Sequence, residues 1–353
     1  MATTRAAATP IDPGVTAAGA SGPADGSPPG RGGRGLILPW GALDGQKLGL
    51  LAALVVLCVV ASVLSPVFFT GSNAVNIARA VALIGIVAIG QTIVLLCGGI
   101  DLSVGAVAGI AGVVLVKTQE LGLPAAILLA LLAGAAIGAF HGVITVRTGI
   151  NSLIVTLATL TALRGVVYVA TNGFPLPLES NWPQEKLWSE VLGVPVPALI
   201  LLALVGVGYV LLSWTPFGSA LYATGGNRKA ASDAGIRVDR TTIIAFVLSG
   251  VCAAIAGVLL AARFGSAAAD AGTGWELLSI AAVVIGGTSL LGGRGDLAGA
   301  MLGVLLLGVI SNAMDLLNIN SFYQQIVQGT LILIAVGAST LRQRADRRRV
   351  SIA

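Results

Sequence analysis

Charge is scarce in this chain: only 10% of its 353 residues are Asp, Glu, Lys or Arg. Soluble domains carry about a quarter, so a water-soluble globule is excluded. Histidine occurs once, at His141, and the three cysteines, Cys58, Cys97 and Cys252, sit in apolar runs without CxxC spacing. That excludes a His/Cys/carboxylate cluster for a catalytic metal, and it leaves the thiols as buried free groups rather than a disulfide or zinc framework. No GxxxxGK[ST] phosphate loop occurs, so the chain does not hydrolyse ATP by that chemistry, and the LSG at 248–250 is too short to be a nucleotide-binding signature. Carboxylates within the apolar runs are few, which argues against an ion-coupled secondary transporter with a carboxylate relay. Uphill movement of a solute through such a chain needs energy from a partner.

Apolar residues make up 56% of the sequence, with 48 glycines and a mean hydropathy of +0.95. Ten apolar runs predict an all-α integral membrane protein with spans at about 46–66, 79–98, 102–118, 123–146, 152–171, 196–214, 242–262, 277–291, 297–316 and 322–341. The third and eighth are short and Gly-rich, so each reads as complete, broken or re-entrant. With the N-terminus inside, 15 of the 20 Lys and Arg fall on the cytoplasmic side, which places both termini there. The net charge of +5 therefore reflects membrane topology and not nucleic-acid binding. Residues 1–45, rich in Ala, Gly, Pro, Ser and Thr, read as a disordered cytoplasmic tail without a signal peptide. Residues 46–341 read as one polytopic domain with a cytoplasmic loop at 215–241, and 342–353 as a basic cytoplasmic tail. A long outer loop, 172–195, carries Trp182 and Trp188, residues that commonly anchor an interface. CGGIDLSVGA at 97–106 is echoed by LGGRGDLAGA at 291–300.

Polar residues inside apolar runs are the candidates for a solute path. In GGIDLSVG, Asp101 and Ser103 either meet a polar solute at a break in the membrane or cap the next helix; the two roles are compatible. Asn151 reads as a helix cap that could also line the path, and Thr156 lies one turn further on. Arg164 lies near mid-span, where insertion costs about 2.5–3.5 kcal/mol, so it must face protein or water: a partner carbonyl or carboxylate first, a pathway second. Asn172, Asn312, Phe322, Gln324 and Gln325 complete the set, since amides beside aromatics suit hydroxyl-rich solutes and equally suit an interface belt.

GGNRKAASDAGI, residues 225–236, is a polar cassette in this apolar context. Asn227 reads as an N-cap, Arg228, Lys229, Ala230, Ala231, Ser232 and Asp233 as a short helix, and Gly235 as its C′ residue. So short a helix is not stable alone in water and needs something to pack against. Arg228 and Lys229 in its first turn oppose the helix dipole, a choice that points to contacts with a partner.

The order GGIDLSVG, YVATNGFPL, FGSALYATGGNRKAASDAGIRVDR, GTGWELLSIAAVVIGGTSLLGGRG and SFYQQIVQGTLILIAV resembles the permeases of ribose- and xylose-type ABC sugar importers, over about residues 75–340. The resemblance implies a permease without catalytic residues of its own, paired with a second copy in a bacterial inner or plasma membrane. An extracytoplasmic binding protein would deliver a monosaccharide, and cytoplasmic ATPase subunits would bind ATP and Mg. Gly225 and Gly226 through Gly235 would then form the coupling segment that docks on the ATPase. A branched-chain amino acid, a nucleoside or a sugar-derived signal is the alternative cargo.

Overall fold

The computed structural model of the chain describes residues 45–320, 322–330, 333 and 337. The expected tails, 1–45 except Gly45 and 342–353, lie outside these residues, as does much of the span expected at 322–341. Among the described residues up to Leu316, twelve α-helices follow in chain order: α1 (Gly45–Leu64), α2 (Gly71–Leu96), α3 (Val104–Lys117), α4 (Leu123–Thr148), α5 (Ser152–Thr171), α6 (Trp182–Leu187), α7 (Val196–Trp214), α8 (Pro216–Gly226), α9 (Arg228–Asp233), α10 (Val238–Phe264), α11 (Trp275–Ile285) and α12 (Leu297–Leu316). Among the described residues, seven of them are long and apolar enough to cross a membrane: α1, α2, α4, α5, α7, α10 and α12.

The other two expected spans in this region are shorter than a bilayer. At 1.5 Å per residue, the 14 residues of α3 cover about 21 Å and the 11 of α11 about 16 Å, against about 30 Å of hydrocarbon. The eighth run, expected to reach 291, stops at Ile285 because Gly286 and Gly287 follow and Gly287 takes φ +102°. Two helices are longer than hydropathy suggests. α2 begins at Gly71 rather than 79, with Thr70 accepting from the Asn73 N–H at 3.3 Å, and α10 begins at Val238 rather than 242. Polar residues such as Asn73, Asn76, Asp239 and Arg240 belong to these helices although they lower the local hydropathy.

The loops also contain structure. The loop 172–195 holds α6 and a small hairpin, β2 (Glu190–Val191) with β3 (Val194–Pro195). At its start, β1 (Leu176–Pro177) pairs antiparallel with β4 (Ser266–Ala267), which latches the segment after α5 to the segment after α10. The Trp188 ring lies 5.7 Å from the Arg79 guanidinium and 5.6 Å from that of Arg263. The loop expected at 215–241 is largely helical, comprising α8, α9 and the first turn of α10.

α10 is the central element, packed on α2, α3 and α4. Its closest neighbour is α4, whose Ala126, Ala130, Gly134, Gly138 and Gly142 form a buried stripe at four-residue intervals. A Cβ on Gly138 would collide with the Phe246 carbonyl, and one on Gly134 with that of Gly250. The backbones meet because α4 carries no side chain at either position and α10 carries none at Gly250, the usual solution between membrane helices. Most of α2 and α10 is buried, whereas α1, α5 and α7 expose apolar faces such as Val59, Val63, Val169 and Val207, surfaces that lipid satisfies.

Candidate solute path and coupling surface

Between α2 and α3 the chain leaves helical geometry and runs extended along α10. Cys97 stands against Thr242, with Sγ and Oγ1 3.6 Å apart, and Asp101 reaches Ser249 further along α10. Non-helical backbone at this depth must have its polar groups satisfied by protein, and side chains do so. Ile100 N–H donates to Ser152 Oγ at 3.0 Å, Leu102 N–H to Thr156 Oγ1 at 3.1 Å, and Ser103 N–H to Asp101 Oδ1 at 2.9 Å. The Asp101 carboxylate also accepts from Ser103 Oγ at 2.6 Å and, through Oδ2, from Ser249 Oγ at 2.8 Å. Asp101, Ser103 and Thr156 are thus fully buried structural groups around an extended segment. His141 lies beside them, 3.5 Å from Ser103 Oγ and sharing a 2.7 Å bond with Thr159. Ser249 and Thr159 belong to this cluster, and hydropathy alone gives no sign of Ser249.

A cavity of about 740 Å³ lies among α2, α3, α10, α11, α12 and the loop 265–274. Of the candidates above, Gln324 lines it. Gln324 donates through Nε2 to Asp315 Oδ1 at 2.7 Å and to the Ile319 carbonyl at 3.1 Å. Arg164 sits just behind the wall: its Nη1 donates to the carbonyls of Ala269 and Ala271, pinning the loop 265–274 against α3. At Gly105 and Gly272 the two backbones touch with no side chain between them, and Gly272 takes φ +66°. Asn312 is elsewhere, in a reciprocal amide pair with Asn73 at 2.8 and 3.0 Å that ties α12 to α2. Asn151 caps α5 by accepting from the Leu153 N–H at 2.9 Å. Asn172 ends α5 in the left-handed conformation with φ 50° and is exposed, as are Phe322 and Gln325.

At the opposite end of the bundle, the cassette 225–235 forms the helix α9 and its flanks. Asn227 Oδ1 accepts from the Ala230 N–H at 3.0 Å, and Gly235 takes φ +82° just beyond the helix. All of α9 except Ala231 is exposed. Arg228 has partners within the chain, donating to Asp239 at 3.1 Å and to Thr242 Oγ1 at 3.2 Å. In the first turn, Arg228 therefore has partners in α10 of the same chain, whereas Lys229 is the α9 cation with no ion pair among the described residues.

Three glycine pairs meet beneath this helix. A Cβ on Gly225 would strike the Leu96 carbonyl and the Gly293 nitrogen, Gly292 lies against Gly98, and Gly293 against Gly226. The Gly293 N–H donates to the Leu96 carbonyl at 3.0 Å. The echoed segments CGGID and LGGRG thus contact each other and the cassette. Tyr222 of α8 closes the junction by donating to the Gly295 carbonyl at 2.9 Å. Burial, and next the Asp296 carboxylate, push its hydroxyl above the usual phenol range, so it remains a donor. Asp296 itself accepts from the Gly299 N–H at the start of α12 and pairs with Lys47 of α1 at 2.8 Å.

The family described as branched-chain amino acid transport system, permease component, matches residues 73–336. The ribose import permease protein RbsC of Bacillus subtilis is 42% identical over 295 residues, covering 82% of this chain and 92% of that protein. RbsC of Escherichia coli K12 is 41% identical over 299 residues, covering 83% and 93%. The L-arabinose transport system permease protein AraH of the same strain is 37% identical over 313 residues, covering 86% and 93%. No solved structure matches.

Proposed function

The chain belongs to the branched-chain amino acid transport system permease family, and on that premise we propose that it is the membrane-spanning subunit of an ATP-driven ABC importer for a monosaccharide. The observation that carries this reading is identity near 40% to permeases named for ribose, over more than four-fifths of the chain. The arabinose permease at 37% supports the same cargo class. Branched-chain amino acids, which the family description names, are the second reading, ahead of a nucleoside or a sugar-derived signal. An ion-coupled carrier fits less well, because Asp101 commits both carboxylate oxygens to Ser103 and Ser249.

In this reading the domain 46–341 has ten spans with both termini in the cytoplasm of a bacterial inner membrane. The described residues support nine apolar helices of that set, with α3 and α11 too short to cross alone. Two copies assemble, an extracytoplasmic binding protein delivers the solute, and ATPase subunits holding ATP and Mg dock on the loop 215–241. The exposed face of α9 supports that docking, because a six-residue helix with little of its own surface buried is ready to pack on a partner. The glycine junction gives the docked helix a direct hold on the ends of α2 and α8 and on the segment before α12. Alternating access would begin there.

Deleting the gene should abolish uptake of one labelled sugar among ribose, xylose, arabinose and galactose, and a plasmid copy should restore it. Unchanged uptake of all four with loss of leucine uptake would replace the sugar with an amino acid.

A further inference from the structure

The crossing of α4 and α10 has a filled side and an open side. Gly142 of α4 lies against Ile243 of α10, where a Cβ would stand 2.7 Å from the Ile243 Cα. At about 100° per residue, the residues just before and just after each contact point to opposite sides of the crossing. His141 and Thr242 take one side, where they meet Ser103 and Cys97 of the extended segment 97–103. Val143 and Ile244 take the other, where they are 38% and 45% exposed.

Both helices extend the open side in the same pattern. On α4 it runs through Phe140, Val143 and Arg147, and on α10 through Arg237, Arg240 and Ile244, each set spaced i, i+3, i+7 on one helix face. The contacts Gly134–Gly250, Gly138–Phe246 and Gly142–Ile243 run antiparallel. All three arginines therefore come to the end of the bundle that carries α9, and the apolar residues continue the groove away from them. We propose that this groove binds an anionic phospholipid, its phosphate on Arg147, Arg237 and Arg240 and its acyl chains along Phe140, Val143 and Ile244. This rests on the reading of the chain as a membrane-spanning subunit and is independent of the cargo.

Charge and depth both fit that occupant. The three arginines are exposed, and none has an ion pair among the described residues. Asp239, the carboxylate between Arg237 and Arg240, is paired with Arg228 at 3.1 Å. Arg237 and Arg240 open α10, where the helix dipole disfavours cations, so helix stability does not account for them; a phosphate outside the helix does. Phe140 lies seven residues, about 10 Å, from Arg147 along α4. With the arginines at headgroup level, the apolar contacts then fall at acyl depth, and basic pockets between membrane helices are known holders of acidic headgroups. The groove is also separate from α9, because Arg228 reaches Thr242 on the filled side of the crossing.

The test titrates the full-length permease, purified in neutral detergent, with phosphatidylglycerol and with phosphatidylcholine of the same acyl chains, and counts bound lipid by native mass spectrometry. Wild type should hold one phosphatidylglycerol about a hundredfold more tightly than phosphatidylcholine, at about fivefold per arginine. Arg147→Gln, Arg237→Gln and Arg240→Gln combined should abolish that preference and leave phosphatidylcholine binding unchanged. Arg294→Gln removes an exposed cation outside the groove and should keep the preference. Glycerol phosphate, which lacks acyl chains, should not displace the lipid. If the triple variant does not fold, Arg147→Gln and Arg240→Gln decide singly, each expected to weaken phosphatidylglycerol binding by about fivefold. Equal affinity of wild type for the two lipids, wild-type affinity in the arginine variants, or an equal loss in Arg294→Gln overturns the site. Displacement by glycerol phosphate makes it a site for soluble phosphates and overturns the lipid. Wild type without lipid preference, together with loss of ATPase-subunit binding in the triple variant, assigns the arginines to that partner instead. None of these outcomes touches the importer reading, which fails only on sugar uptake.

Discussion

Two neighbouring basic residues on α9 have different surroundings. Arg228 bridges to Asp239 and Thr242, whereas Lys229 is exposed with no ion pair among the described residues. Lys229→Glu should therefore weaken ATP-driven uptake while leaving the thermal unfolding midpoint in detergent unchanged. Arg228→Glu should lower both, because it sets a carboxylate against Asp239, although an exposed pair of this kind contributes at most about 1 kcal/mol. Equal uptake in Lys229→Glu and wild type would remove α9 from the coupling surface. The Asn73–Asn312 amide pair is a separate case, holding α2 to α12. A double-mutant cycle to Ala at both positions should return a coupling of about 0.6 kcal/mol, and no more than about 1.7 kcal/mol, as for other polar pairs between membrane helices. A coupling of zero would mean that the pair contributes no net stability.

Between elements, backbone proximity matters more than side-chain interlock. The stripe Ala126, Ala130, Gly134, Gly138 and Gly142 lets α4 lie directly on α10. Gly138→Val should cost about 1–3 kcal/mol or more by forcing the helices apart. Gly165→Val on α5, where a side chain meets open space, should leave the melting temperature near that of wild type. Similar losses for the two would refute the packing argument. Much of this level could be read in the sequence: the expected spans 152–171 and 196–214 coincide with α5 and α7, and that at 297–316 ends with α12. The short third and eighth runs were visible as Gly-rich, and the caps at Asn151, Asn227 and Gly235 follow from local side-chain and backbone chemistry. The early starts of α2 and α10 were hidden because hydropathy discounts polar residues that still make helical turns. The β1–β4 pairing and the amide pair join positions about 90 and 239 residues apart, and one sequence carries no local signal for such contacts. The cavity was hidden for the same reason: five helices and a loop must be assembled before Asp270, Ser311 and Gln324 share a wall.

In the molecule as a whole, the polar cassette and the cavity lie toward opposite ends of α10. Orientation is the first requirement of the importer reading. An impermeant thiol reagent applied to intact cells should label Ser180→Cys in the loop 172–195 and spare Ser232→Cys in α9; the reverse pattern would invert the topology. Its second requirement is that force enters through the junction of Gly225, Gly98 and Gly292, where no side chain cushions the contact. The most direct test of the central claim is sugar uptake by proteoliposomes containing the purified permease with its ATPase and binding protein, measured with and without ATP. The account predicts uptake that requires ATP and both partners and that is unaffected by an uncoupler. Uptake by the permease alone, abolished by an uncoupler and indifferent to ATP, would contradict it.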